Sequence, residues 1–222
     1  LPLSKLVTEM QESATLKMAK MARELKAQGK DVIDLSLGEP DFDTPVHIKE
    51  AAKKALDDGY TKYTPVNSLL ELRQAIVNKL ARENDLHYTV NQIVVSNGAK
   101  QSVYNLCMAL LDPGDEVILP APYWVSYAEI VKMAGGVPVI ANSSIEQDFK
   151  STPEEIEALI TDRTKFILYS SPCNPSGSVF SFEELQALAL MLQAHEHVLV
   201  VSDEIYEHIN FTDRHYTIAS ME

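Results

Sequence analysis

Only two cysteines occur in these 222 residues, Cys107 and Cys173. Their spacing fits neither a disulfide framework nor a metal knuckle. Positive charge is also short: 19 Lys and Arg stand against 32 Asp and Glu, for a net charge of −13. That balance argues against nucleic acid or an anionic membrane surface as a main partner. No apolar run approaches the length of a membrane span, and no signal peptide opens the chain. With so few cysteines, this predicts a reducing cytoplasm. Aromatic residues are sparse at 7%, with a single tryptophan, Trp124. The sequence opens on Leu-Pro-Leu-Ser without an initiator methionine, so its natural N-terminus is expected to have been trimmed.

Hydrophobic content of 45% with 23% charged residues belongs to a folded chain able to bury a core. Residues 5–28 carry Leu6, Met10, Ala14, Met18, Met21 and Leu25 at helical spacing, stopped by Gly29. Helices are also expected at 46–57, 69–84, 99–111, 125–134, 153–160 and 182–195. Strands are expected at 31–37, 92–96, 116–120, 137–141, 165–170 and 198–202. From residue 92 onward strand and helix alternate, which predicts an α/β fold with a mostly parallel, helix-covered sheet. The double-proline loop at 40–46 suggests a boundary, with 1–45 as an N-terminal arm and small-domain segment and 46–222 as a large ligand-binding domain.

Three strand ends carry chemistry. Val198–Val201 runs into Ser202-Asp203-Glu204-Ile205-Tyr206, Phe166–Tyr169 into Ser-Ser-Pro-Cys-Asn-Pro-Ser-Gly, and Ile93–Val95 into Ser-Asn-Gly-Ala-Lys. In open α/β sheets ligands sit at such ends. Each motif has a plain alternative. Asp203 could cap a short helix, Asn174-Pro175-Ser176-Gly177 could be a turn, and Gly98 could serve only sterics. Trp124 could be core, yet it follows a proline-rich strand end, where a flat ring can stack on a ligand. His195 and His197 read as a solvated helix end rather than a metal pair, and Cys173 as a bystander. Taken together, a ring-stacking indole, an anion, an amide with a phenol, and a helix start open to phosphate describe a receptor for pyridoxal 5′-phosphate.

Six ordered motifs then carry a resemblance: Gly38–Phe42, Thr61-Lys62-Tyr63, Asp112–Val117, Pro122–Tyr127, Ser171–Pro175 and Ser202–Glu207. Over essentially its whole length the chain resembles the class I aminotransferases, pyridoxal-phosphate enzymes of fold type I, and among them the bacterial aspartate aminotransferases. The resemblance implies that Asp203 pairs with the protonated ring nitrogen. Tyr206 and Asn174 would bond the ring oxygen, Trp124 would stack on the ring, and the backbone of Gly98, Ala99 and Lys100 would hold the phosphate. Trp124 and Asn174 would also face the substrate. Tyr63 would reach the phosphate of a neighbouring subunit in a homodimer, and Gly38 would lie against the substrate α-carboxylate. Ser13, Thr15 and Lys100 match positions that bind a distal carboxylate.

The implied reaction exchanges an amino group between L-aspartate and 2-oxoglutarate. Aromatic, alanine or prephenate-type substrates, a β-lyase, or a non-catalytic cofactor-binding fragment are the other readings. The sensing half of a transcription regulator is disfavoured by the net charge and by the shortness of the segment before the first strand. The family's Schiff-base lysine and its α-carboxylate-binding arginine are expected beyond Glu222, leaving this stretch inactive by itself. One local departure stands out: Asn67-Ser68-Leu69-Leu70 replaces the family's usual Gly-x-Pro turn.

Overall fold

The computed structural model describes residues 1–10, 14–36, 38, 40–212 and 214–221. The chain divides into two compact units, Leu1–Met10 with Leu70–Glu222, and Gln11–Leu69. The expected boundary at 40–46 falls within the second.

The larger unit is built on a four-stranded, all-parallel sheet in the order β2-β1-β3-β4. Its strands are β1 (Glu116–Pro120), β2 (Val137–Ala141), β3 (Thr164–Ser170) and β4 (Leu199–Asp203). Six helices of this unit are α1 (Lys5–Glu9), α4 (Leu70–Asn84), α5 (Ala99–Leu110), α6 (Ser126–Met133), α7 (Pro153–Glu157) and α8 (Phe182–Leu192). The smaller unit carries α2 (Ala14–Ala27) and α3 (Val46–Asp57).

Continuous apolar strands need cover on both faces, and they have it. Val103 and Cys107 of α5 and Ile130 and Val131 of α6 close one face over Val117, Leu119, Phe166 and Leu168. Ile156 of α7 and Leu185 and Leu188 of α8 close the other over Ile118, Ile167 and Tyr169. Alternate residues of β1 and β3 thus feed two separate cores, as a two-residue period requires. Helix starts are specified locally. At α8 the Ser181 hydroxyl accepts from Glu184 N at 3.2 Å, and the Glu184 carboxylate accepts from Ser181 N at 2.7 Å; Thr152 and Glu155 form the same reciprocal cap at α7.

At the N-terminal end of the sheet, Glu116 is a buried acid tied to the loop before β3. Thr161 Oγ1 donates to its Oε2 at 2.6 Å, and Arg163 pairs with its other oxygen. The hydrogen bond from Thr161, with Arg163 behind it, holds the Glu116 carboxyl below its ordinary value.

The chain passes from β1 through α6 to β2, then returns across β1 to β3. The order therefore reverses between β1 and β3, the position where open sheets leave a crevice at their C-terminal edge.

Three expectations need correction. Residues 31–37 and 92–96 form no strand among the described residues. Apolar composition suggested them, but a strand exists only where a neighbour completes its ladder, and the four strands present pair with one another. The long helix over 5–28 divides into α1 and α2, with Met10 in extended backbone closing α1. The remaining expected helices and strands are present with ends shifted by at most three residues, a normal scatter for fraying termini.

No helix among the described residues is long and apolar enough to cross a membrane. Ser68, at the end of the smaller unit, holds a positive φ of 81°. It stands in the segment where the family's usual turn has glycine, and a side chain there is strained.

Candidate functional site

Asp203 is the last residue of β4, at the ligand-facing edge of the sheet. Its Oδ2 accepts from the Tyr127 hydroxyl at 2.7 Å, and its Oδ1 accepts from Ile205 N at 3.2 Å. No helix begins at Glu204; a turn follows instead, so the capping alternative reduces to one backbone bond. The carboxylate is fixed from two sides and half-buried.

Tyr127 is the functional residue that sequence reasoning overlooked. It sits in the first turn of α6, is 1% exposed, and belongs to the core beneath β1 and β3. Burial, then the negative charge of Asp203 and the bond to it, push the phenol well above its ordinary value. Tyr127 therefore stays a donor at any working pH and stabilises the ionised form of Asp203.

Trp124, in the turn between β1 and α6, packs its ring edge-to-face with Tyr127, centroids 5.5 Å apart. The Lys100 ammonium lies 4.7 Å from the Trp124 ring centroid, within cation–π range. Asn174, on the loop after β3, has Nδ2 3.4 Å from the Tyr206 hydroxyl, a long hydrogen bond. The amide and phenol expected to share one ligand atom are thus neighbours.

Gly98 precedes α5 with φ +88°, a backbone that side chains rarely adopt. A Cβ built there meets nothing within 4 Å, so the space beside this helix start is open. The first N–H groups of a helix have no partner within it. Those of Ala99 and Lys100 are therefore placed to receive an anion.

Asp203, Tyr206, Asn174, Trp124, Gly98, Ala99 and Lys100 all belong to the larger unit, on strand ends or a helix start. An anion, two hydrogen-bonding groups, a flat apolar ring and a phosphate-type helix start match a planar cationic heterocycle bearing a phosphate. The donor set fits pyridoxal phosphate. Thr15, Gly38 and Tyr63 belong to the smaller unit, Gly38 and Tyr63 exposed and Thr15 in the first turn of α2. Ser13 lies outside the described residues.

Both cysteines flank this region. Cys107 is fully buried on α5, and burial pushes its thiol up to about 11. Cys173 is partly exposed on the Asn174 loop, its Sγ 3.4 Å from the Pro122 carbonyl oxygen.

Comparison with known proteins agrees with this geometry. The family model for class I and II aminotransferases matches residues 30–221. A Rickettsia conorii protein named a probable aspartate/prephenate aminotransferase is 50% identical over 97% of this chain and 54% of its own length. The aspartate aminotransferase of Geobacillus stearothermophilus is 49% identical over 99% of this chain and 56% of its own. Among solved structures, the Thermus thermophilus aspartate aminotransferase with maleate superposes with a TM-score of 0.93 at 47% identity. That match covers 98% of this chain and 57% of the other. The chain spans about half the length of the curated relatives it matches.

Proposed function

Because this chain belongs to the class I and II aminotransferases, we propose that it forms the cofactor bed of a pyridoxal-phosphate enzyme. The enzyme exchanges an amino group between L-aspartate and 2-oxoglutarate, and acts as a cytoplasmic homodimer. The observation that carries the reading is the Asp203 carboxylate, held by Tyr127 at the C-terminal edge of the sheet beside Trp124 and Asn174.

Bound pyridoxal phosphate supplies an electron sink for the charge left when the substrate's α-proton departs. The chain's own residues hold and polarise it. Asp203 faces the ring nitrogen and favours its protonated form. Asn174 and Tyr206 donate to the ring oxygen, Trp124 lies flat against the ring, and the start of α5 takes the phosphate. Lys100, above Trp124, is the cation suited to an acidic substrate's distal carboxylate, with Thr15 and Ser13 as further candidates. Gly38 and Tyr63 would complete the site for the α-carboxylate and the partner subunit's phosphate.

Two relatives support acidic substrates: the Geobacillus enzyme by its name, and the Thermus enzyme by its complex with maleate, a dicarboxylate. The Rickettsia relative's name adds prephenate as a second amino acceptor. The lysine that forms the Schiff base is expected after Glu222, so the assay uses the full-length polypeptide.

Asp203→Ala in that polypeptide, assayed with L-aspartate and 2-oxoglutarate at saturating cofactor, should lose most turnover. Removing one partner of a buried ionic contact costs about 3–5 kcal/mol, a rate loss of at least about a hundredfold. Near-normal turnover would refute the assignment.

A further inference from the structure

The turn after β4 presents side chains in two directions. Asp203 and Tyr206, three residues apart, face Tyr127 and Asn174. Glu204 and Glu207, also three apart, are held by other partners. Glu204 meets His215 Nε2 at 3.0 Å and accepts from Ser202 Oγ at 2.9 Å. Glu207 is the more heavily held. Lys79 of α4 donates to its Oε2, and Asn84 Nδ2, at the end of the same helix, donates to its Oε1 at 2.6 Å. Lys79 also bonds Asn84 Oδ1 at 2.8 Å, closing a three-membered ring of contacts. Glu83 lies 3.6 Å from Lys79, and His208 lies 3.6 Å from Glu83 and 3.9 Å from Glu207. The Glu207 side chain is only 16% exposed. Partial burial opposes its ionisation, yet the bonds from Lys79 and Asn84 outweigh that and leave the carboxyl below its ordinary value.

Locally the turn has little else to fix it. Its own backbone bonds are Glu207 N to Glu204 O at 3.0 Å and Ile209 N to Tyr206 O at 2.8 Å. The Tyr206 hydroxyl sits at the long limit of its contact with Asn174, where a shift of a few tenths of an ångström decides whether both groups converge on one ligand atom. Sites of this kind need groups held within about 0.5 Å.

We propose that Glu207, gripped by Lys79 and Asn84, is a positioning residue that sets where Tyr206 presents its hydroxyl to the cofactor's ring oxygen. The inference rests on the functional reading above. Glu207 touches neither substrate nor cofactor; it acts through its neighbour Tyr206, across 128 residues of sequence from Lys79.

The test uses the full-length polypeptide, stripped of cofactor and titrated with pyridoxal phosphate. Glu207→Gln and Lys79→Met should each weaken cofactor binding about three- to tenfold. They should also raise the pH midpoint at which the bound cofactor's visible band shifts, because a displaced phenol no longer favours the ionised ring oxygen. Lys79→Arg, which keeps the charge and the donor, should restore both. Asn84→Ala, the mildest change, should move both in the same direction by less and covers the case in which a harsher variant fails to fold. Arg163→Met serves as the comparison, since it breaks an ion pair at the opposite end of the strands and should leave affinity and midpoint alone. Unchanged affinity and midpoint in Glu207→Gln and Lys79→Met would overturn the inference, as would equal shifts in Arg163→Met. An unmodified protein that takes up no pyridoxal phosphate would overturn the functional reading and this inference with it.

Discussion

Replacing Tyr127 with phenylalanine removes one oxygen and leaves the ring that fills the core. The lost contact is the 2.7 Å bond to Asp203 Oδ2. A hydrogen bond to a charged group contributes about 1.5–3 kcal/mol net, so the full-length, cofactor-free protein should lose about 2 kcal/mol of stability. Asp203 keeps its bond from Ile205 N but becomes free to swing about it, so pyridoxal phosphate meets a less ordered anion. Each 1.4 kcal/mol is a factor of ten in affinity, and about tenfold weaker binding is expected if roughly two-thirds of the bond's worth goes into ordering the carboxylate. A double-mutant cycle with Asp203→Ala isolates the pair. With Asp203 gone, the buried phenol has lost its charged acceptor, and Tyr127→Phe should become nearly neutral or slightly stabilising. Urea unfolding of the four proteins gives the coupling, and cofactor titration of the two that retain Asp203 gives the affinity change. If Tyr127→Phe destabilises equally with and without Asp203, the bond has no energetic role and the reasoning fails.

Two further outcomes concern stability. Ser68→Gly relieves a positive φ worth about 1–2 kcal/mol for a side chain, less the extra entropy glycine loses on folding. A net gain of about 0.5–1 kcal/mol, read as a raised urea midpoint, is expected; an unchanged or lowered midpoint counts against strain at this turn. Glu116 has its carboxyl held below the ordinary 4.5 by Thr161 and Arg163. Its contribution to stability is therefore complete above pH 4.5 and fades as pH falls through the lowered value. Glu116→Gln should flatten the pH dependence of unfolding below pH 4.5, and an unaltered acid slope would show the pairing to be inconsequential.

The site residues of the larger unit were legible because each motif terminates a strand or starts a helix, and local sequence marks both. Asp203, Asn174 and Gly98 are read off the residues beside them. Tyr127 was not, because an aromatic residue in a helix's first turn signals packing, and its partner is 76 positions away. The grip of Lys79 and Asn84 on Glu207 was invisible for the same reason, since no local periodicity couples α4 to a turn after β4. Residues 31–37 and 92–96 failed differently. Their composition suits a strand, but composition cannot supply the adjacent backbone that makes one.

The contrast between the two sulfur atoms offers a practical handle. Near neutral pH a maleimide dye should react with Cys173 and leave Cys107 untouched, because the latter is both inaccessible and reluctant to ionise. Among these 222 residues, then, a fluorophore can be installed two positions from Ser171 and next to Asn174 without any substitution. Its emission would report the arrival of a ligand at the crevice in real time.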